Sequence, residues 1–384
     1  MERVGIYVGA FDPPQKGNLR VAKQAMEQEG LTRLLLIPGG SAASGSSVTQ
    51  ETRLALLRLA VGSGGGPEVP DPSEGMDVIR IPEASLFLDG EIFRDEEFRE
   101  TWMPRLKGRK IRVFCGDRRE AAAVDRLGEE LASRGISVER ISGSEMPLPS
   151  VQMRRLLAFR CAGEFLPEQV LEKIREDRLY DTRADWKKLP MEELEKIVVQ
   201  LLDPGRVNHV LGCRNTAVAL ARRWGADPED AARAGILHDI TKAIDGPLQL
   251  TLCAAYGKIL SDFSRKYPKT LHALTGSLVA QRIFGENEQV VQAICFHTTG
   301  RADMTLLEKI IYVADYMEPG RDFPGVERLR ELADTDLDGA VKLGLEMTLE
   351  HLKDQGAEVS PESRDALAWL NRQRETCNTD NPKG

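Results

Sequence analysis

The apolar periodicity of this chain changes once, near residue 190, and one sheet-or-bundle architecture cannot serve both sides of that change. Before it, short apolar runs alternate with helical stretches: VGIYV, a helix near Leu19–Gln28, LLLIP, DVIRI, IRVFCG, a helix near Arg119–Ser133, then ISVERI. Strands alternating with helices predict an α/β domain, a parallel sheet covered by helices, with ligands at the carboxyl ends of the strands. After it, MEELEKIVVQLL, NTAVALARRWG, DAARAGILHDITKAI, LTGSLVAQRIFG, EQVVQAICFH and LLEKIIYVADYM carry apolar residues at three- and four-residue spacing. No alternating strand lies among them, so this part is expected to be an all-α helical bundle.

The stretch DTRADWKKLP, residues 181–190, holds a proline and no periodicity and reads as a linker. The expected domains are therefore 1–180 and 191–352, followed over 353–384 by a C-terminal helix and a polar tail that frays beyond about Leu370. Residues 39–47 and 62–75 are glycine- and serine-rich loops by composition.

Charge narrows the partners. The net charge of −8 opposes non-specific grip on a nucleic-acid backbone, so a long nucleic acid is not expected. No run reaches the ~20 apolar residues needed to span a bilayer, and the N-terminal MERVGIYVGAF shows no cleavage site for export. The expectation is a cytoplasmic protein with a small nucleotide partner and no membrane, a homodimer being left open. The six cysteines (Cys115, Cys161, Cys213, Cys253, Cys295 and Cys377) stand singly with no CxxC pair, so buried thiols are expected rather than a zinc knuckle or a disulfide framework.

All five histidines lie after residue 208: His209, His238, His272, His297 and His351. Neutral imidazole is the commonest metal ligand, and carboxylates supply harder, bridging oxygens, so four histidines on separate helices with neighbouring aspartates suit a dinuclear site. The motifs RxxH at Arg206–His209, HDxxK at His238–Lys242, LHxxxG at Leu271–Gly276, HTTGR at His297–Arg301 and ADYxEPGRDFPGV at Ala314–Val326 occur in the order of the HD-domain symmetrical diadenosine-tetraphosphate hydrolases, which residues 192–352 resemble.

The resemblance implies two divalent metal ions, iron in that family with manganese or zinc also acceptable to such ligands. His209, His238, Asp239 and Asp315 would hold one, and His272 and His297 with a bridging Asp239 the other. Two metals about 3.5–4 Å apart acidify a water for attack on phosphorus. Asp239 would thus head the catalytic set, with Lys242, Arg301 and Arg321 as clamps on phosphate. Glu318 and Asp322 fall in the same EPGRDFPG loop, and His351, which matches no motif, is expected at the surface.

The first part resembles nicotinate-nucleotide adenylyltransferases, a nucleotidyltransferase-like, Rossmann-like fold. The likeness runs through VGAFDPPQKGNL at 8–19, the CGD at Cys115–Asp117, SVQMRR at Ser150–Arg155 and GEFLPEQVLEKIREDRLY ending at Tyr180. It implies a nucleotide site on Gly9, Phe11, Asp12, Gln15, Asn18, Ser150 and Arg154. Gln15 and Asn18 stand where that family has the two histidines of HxGH, and Val151 replaces a hydroxyl. Neutral amides cannot carry the positive charge that stabilises a triphosphate under attack, so the domain is expected to be degenerate. The expected function is hydrolysis of diadenosine tetraphosphate to two ADP. The alternatives are a bifunctional enzyme retaining adenylyl transfer, or a hydrolase of another nucleotide with the first domain as sensor or docking module.

Overall fold

The computed structural model describes residues 2–40, 48–62, 66–71, 75–81, 83–116, 118–143, 146–182 and 184–379. Most of the 39–47 loop, parts of the 62–75 loop, Asp117 of the CGD motif and the last five residues of the tail lie outside the described residues. The chain divides into two compact units, Met1–Ala184 and Asp185–Gly384.

In the first unit, β1 (Val4–Gly9), β2 (Arg33–Pro38), β3 (Ser85–Asp89), β4 (Lys110–Cys115) and β5 (Ser137–Ser142) form one parallel sheet in the order β2-β1-β3-β4-β5. Side chains alternate across it. Ile6, Val8, Leu86, Leu88, Ile111 and Val113 enter one apolar cluster, and Tyr7, Leu34, Leu36, Phe87 and Phe114 another. A strand buried on both faces reads as a continuous apolar run, and each such side chain contributes about 1.5–3 kcal/mol by leaving water. Strand order reverses between β1 and β3, the position where open α/β sheets open a ligand crevice at the strands' carboxyl ends.

One expected strand is displaced. The first four residues of DVIRI fall in a 3-10 helix over Gly75–Arg80, and the strand is instead SLFLD, four of whose five residues are buried. Both segments are short apolar runs, and the one that aligns with β1 and β4 takes the ladder.

The described residues of the second unit contain helices and turns and no strand. Val207–Trp224, Pro228–Leu237, Leu271–Val279, Glu288–Phe296 and Leu306–Met317 carry the site. Their starts are set by local caps. The Asp227 side chain accepts from the backbone of Glu229 and Asp230, Asn287 from Val290, and Thr305 forms a reciprocal capping box with Glu308. Caps of this kind contribute about 1 kcal/mol each.

Trp186, within the stretch read as a linker, is buried and stacked on Phe284 with ring centroids 5.7 Å apart. The last helix, Pro361–Thr379, continues past Leu370 instead of fraying there. Ser360 caps it through Ser363, and Ala366 and Leu370, one turn apart, are both buried. No helix among the described residues is long and apolar enough to cross a membrane. Cys115, Cys161, Cys213 and Cys253 are buried free thiols, and Cys295 is half-buried and free.

Candidate metal centre

Five helices deliver the histidines and aspartates to one point. His209 lies in the first turn of Val207–Trp224, His238 and Asp239 close Pro228–Leu237, His272 opens Leu271–Val279, His297 closes Glu288–Phe296, and Asp315 lies in the last turn of Leu306–Met317. Helix ends can turn adjacent residues inward together, which is how one short HD pair supplies two donors.

Asp239 stands at the middle, 3% exposed. Its Oδ2 is 3.6 Å from Nε2 of both His209 and His238, and its Oδ1 is 3.5 Å from His272 Nε2 and 3.7 Å from His297 Nε2. Asp315 Oδ1 lies 3.2 Å from His209 Nε2 and 3.8 Å from His238 Nε2. Three overlapping donor sets result: His209–His238–Asp239, His238–His297–Asp315 and Asp239–His272–His297.

The residues fit divalent cations on an observation of their own: Asp239 Oδ1 is buried and, among the described residues, has no hydrogen-bond partner. A buried carboxylate oxygen without a donor is costly, and one that faces two imidazole nitrogens is satisfied by a cation between them.

The rings are oriented from behind. His238 Nδ1–H donates to the Gly235 carbonyl at 2.8 Å and His297 Nδ1–H to the Ile294 carbonyl at 2.7 Å, which turns each Nε2 lone pair to the centre. His209 Nδ1–H donates to Glu318 Oε1 at 3.1 Å.

Charge follows geometry. Burial holds the His238 imidazole down at about 4, so it is neutral at pH 7, the form in which an imidazole can donate to a cation. Burial acts the same way on His209, but hydrogen bonds to Asp239, Asp315 and Glu318 outweigh it and raise that ring to about 9. Burial would raise Asp239 and Asp315, yet the surrounding imidazoles hold both carboxyls below the usual range.

Cations ring the outer side. Lys242 Nζ is 2.8 Å from His272 Nε2, Arg321 donates to Asp315 Oδ1 at 2.6 Å and to the Asp315 carbonyl at 2.9 Å, and Arg206 Nη1 donates to Asp239 Oδ2. Arg301 has no described contact with this cluster. Its Nη2 is 3.0 Å from Glu308 Oε1 and its guanidinium lies 5.2 Å from the centroid of the Phe296 ring. Glu308 is fully buried, and a buried carboxylate takes the nearest cation. Asp322 is exposed, as is His351.

Sequence reasoning gave no role to Arg206 or to the Glu318–His209 contact. The first was signalled by its three-residue offset from His209, one helical turn away. The second spans 109 residues and left no local trace.

In the first unit, the residues implied as a nucleotide site do gather at the β1/β3 reversal, but they are bonded to one another. Gln15 and Leu148 exchange two hydrogen bonds: Gln15 Nε2 donates to the Leu148 carbonyl at 2.7 Å, and Leu148 N donates to Gln15 Oε1 at 2.8 Å. Asn18 Oδ1 accepts from Gln15 N at 2.8 Å, and Asn18 Nδ2 donates to the Tyr7 oxygen at 3.0 Å, while the Tyr7 hydroxyl donates to Asp89.

Arg154 is 2.6 Å from Asp12 Oδ2, whose Oδ1 accepts from Tyr180 at 2.7 Å, and Ser150 N donates to Glu91 at 3.0 Å. Gly9 lets β1 pass close to Asp89, since a Cβ there would lie 2.5 Å from Asp89 Oδ2. Phe11 stacks edge-on against Tyr7 at 5.2 Å. The cavity lined by Phe11, Gln15, Asn18, Asp89, Glu120 and Ser150 measures about 10 Å³, room for a single water, whereas small-molecule pockets run to several hundred.

The HD domain family matches residues 206–320. The chain is 39% identical over 180 residues to the symmetrical bis(5'-nucleosyl)-tetraphosphatase of Bacillus subtilis (strain 168), covering 47% of this chain and 96% of that protein. It is 30% identical over 208 residues to a protein of Gloeobacter violaceus named probable nicotinate-nucleotide adenylyltransferase, covering 48% of this chain and 98% of the other. A Mycoplasma pneumoniae protein named probable nicotinate-nucleotide adenylyltransferase/Ap4A hydrolase matches at 26% identity over 371 residues, 91% of this chain and 98% of its own length.

Proposed function

Because this chain belongs to the symmetrical bis(5'-nucleosyl)-tetraphosphatase family and, through its first unit, to the nicotinate-nucleotide adenylyltransferases, we propose that it is a cytoplasmic hydrolase that cuts diadenosine tetraphosphate between its middle phosphates to give two ADP, while its adenylyltransferase unit is inactive. The observation that carries the hydrolase reading is the position of Asp239, one carboxylate whose two oxygens each face a different pair of histidines.

In this reading His209, His238, Asp239 and Asp315 hold one divalent cation, and His272, His297 and Asp239 a second. Iron is the proposed metal, with manganese and zinc compatible with the same nitrogen and oxygen donors. Bound there, the cations supply Lewis-acid polarisation of phosphoryl oxygens and acidify water. The chain's own residues do the rest. Gly235 and Ile294 carbonyls hold two imidazoles in the ligating tautomer, Glu318 holds a third, and Lys242 and Arg321 meet the charge of the bound phosphates.

The inactivity of the first unit is supported by the hydrogen bonding of Gln15 and Asn18. Both amides are buried and bonded to Leu148, Gln15 and Tyr7, so neither is free to meet a triphosphate, and neither carries charge.

The test is product analysis of the purified protein with a panel of nucleotides and added iron, manganese or zinc. Diadenosine tetraphosphate giving ADP alone is the expected result. Turnover of guanosine tetraphosphate or deoxynucleotides with no cleavage of diadenosine tetraphosphate contradicts the proposed substrate.

A further inference from the structure

We infer that Arg206 is a phosphate-binding residue of the hydrolase site, acting beside Lys242 and Arg321 in the role that the sequence motifs give to Arg301; the inference rests on the hydrolase reading for its substrate but not for its anion chemistry. Arg206 closes the short turn Pro204–Arg206 and precedes His209 by three residues, so its side chain leaves the backbone on the same side as a proposed metal ligand. Its Nη1 donates to Asp239 Oδ2, and among the described residues the guanidinium has no other hydrogen-bond partner. The side chain is 34% exposed while Asp239 is 3% exposed, which places the guanidinium on the boundary between the ligand cluster and solvent.

A guanidinium presents five donors in a planar fork that matches two phosphate oxygens at once. Arg206 spends one donor on Asp239 and keeps the remainder for an anion arriving from solvent. Arg301 has the opposite arrangement: Nη2 is 3.0 Å from the fully buried Glu308 and Nη1 donates to the Ala302 carbonyl at 3.3 Å. Removing it from Glu308 leaves a buried carboxylate without a cation, so these two nitrogens are held away from the ligand cluster that Arg206 touches. With Lys242 at 34% and Arg321 at 37% exposure, Arg206 completes a set of three half-exposed cations, each in contact with a residue of the cluster and each able to reach a polyphosphate chain.

Two roles for Arg206 give different outcomes. If it only supported Asp239, its loss would weaken metal binding. As a phosphate receptor, its loss weakens anion binding and leaves metal content unchanged, since all the residues that would hold the cations remain in place.

The test uses the full-length, manganese-loaded protein and its Arg206→Ala, Arg206→Gln and Arg206→Lys variants. Inorganic tripolyphosphate binding is measured by calorimetry, metal content by elemental analysis, and diadenosine tetraphosphate turnover by chromatography. Arg206→Ala is expected to weaken tripolyphosphate binding about tenfold or more and to raise KM by a similar factor, with metal content equal to the wild type. Arg206→Lys should recover part of the loss, because a point charge replaces the fork. If Arg206→Ala does not fold, Arg206→Gln carries the same comparison. Unchanged tripolyphosphate affinity, or a loss of affinity that tracks a loss of metal, overturns the inference. A wild type that binds tripolyphosphate through Arg206 yet does not cleave diadenosine tetraphosphate supports the anion site and refutes the proposed substrate instead.

Discussion

Glu318 Oε1 accepts the Nδ1 hydrogen of His209 at 3.1 Å, and through that contact a loop residue 109 positions away fixes which nitrogen of His209 faces Asp239 and Asp315. Glu318 is itself held. Its Oε2 accepts from Gly320 N at 2.6 Å, and a Cβ on Gly212 would lie 2.7 Å from the same oxygen, so the carboxylate has one place to sit.

Glu318→Ala should therefore lower the affinity for the first cation by about 10–100-fold, the range for losing such a supporting hydrogen bond. Glu318→Gln keeps an acceptor for Nδ1–H and should lose much less. Metal titration of the apoprotein separates the two variants, and equal affinity in Glu318→Ala and wild type would remove Glu318 from the account.

The first unit should carry a pH signature at Asp89. Burial raises its carboxyl to about 8, above the ordinary aspartate value of 3.8. Between those values the unfolded chain gives up the proton and the folded chain keeps it, so the contribution to stability is full below about pH 4 and is lost as pH rises through about 8. Urea titrations of the wild type and Asp89→Asn at pH 5 and pH 8 read this directly. The wild type should lose stability relative to Asp89→Asn as pH rises; a gap that stays constant or widens in its favour contradicts the buried neutral acid.

Gln15→His with Asn18→His restores the family's two histidines on paper, but it also removes the paired bonds to Leu148 and the link to Tyr7. At about 1 kcal/mol per hydrogen bond, the first unit should lose roughly 2–3 kcal/mol. Adenylyl transfer to nicotinate mononucleotide should be undetectable in the wild type and at most a trace in the double variant. Robust transfer by the unmodified protein, persisting in Asp239→Ala, would show that the first unit is an active enzyme.

The second unit was legible because its information is local or ordered: helical spacing predicts the helices, and four histidines at motif spacing predict the cluster into which His209, His238, His272 and His297 fold. What could not be read depends on distant partners. HTTGR marks Arg301 as a phosphate clamp, and only the fold reveals its ion pair with the fully buried Glu308. DVIRI and SLFLD are equally apolar to a local reading, and pairing with β1 and β4 decides between them. Gln15 and Asn18 announced a missing charge, but the closure of their cleft comes from Leu148, 133 residues on.

The central claim is that Asp239 is shared by two cations, and the most direct measurement is metal per chain in wild type and Asp239→Ala, read on the same samples as hydrolysis of diadenosine tetraphosphate. Wild type should hold two metal ions per chain and release ADP; Asp239→Ala should lose at least one ion and all turnover, because a methyl group cannot replace an oxygen pair facing four imidazoles. Full metal content and undiminished hydrolysis in Asp239→Ala would contradict the dinuclear site.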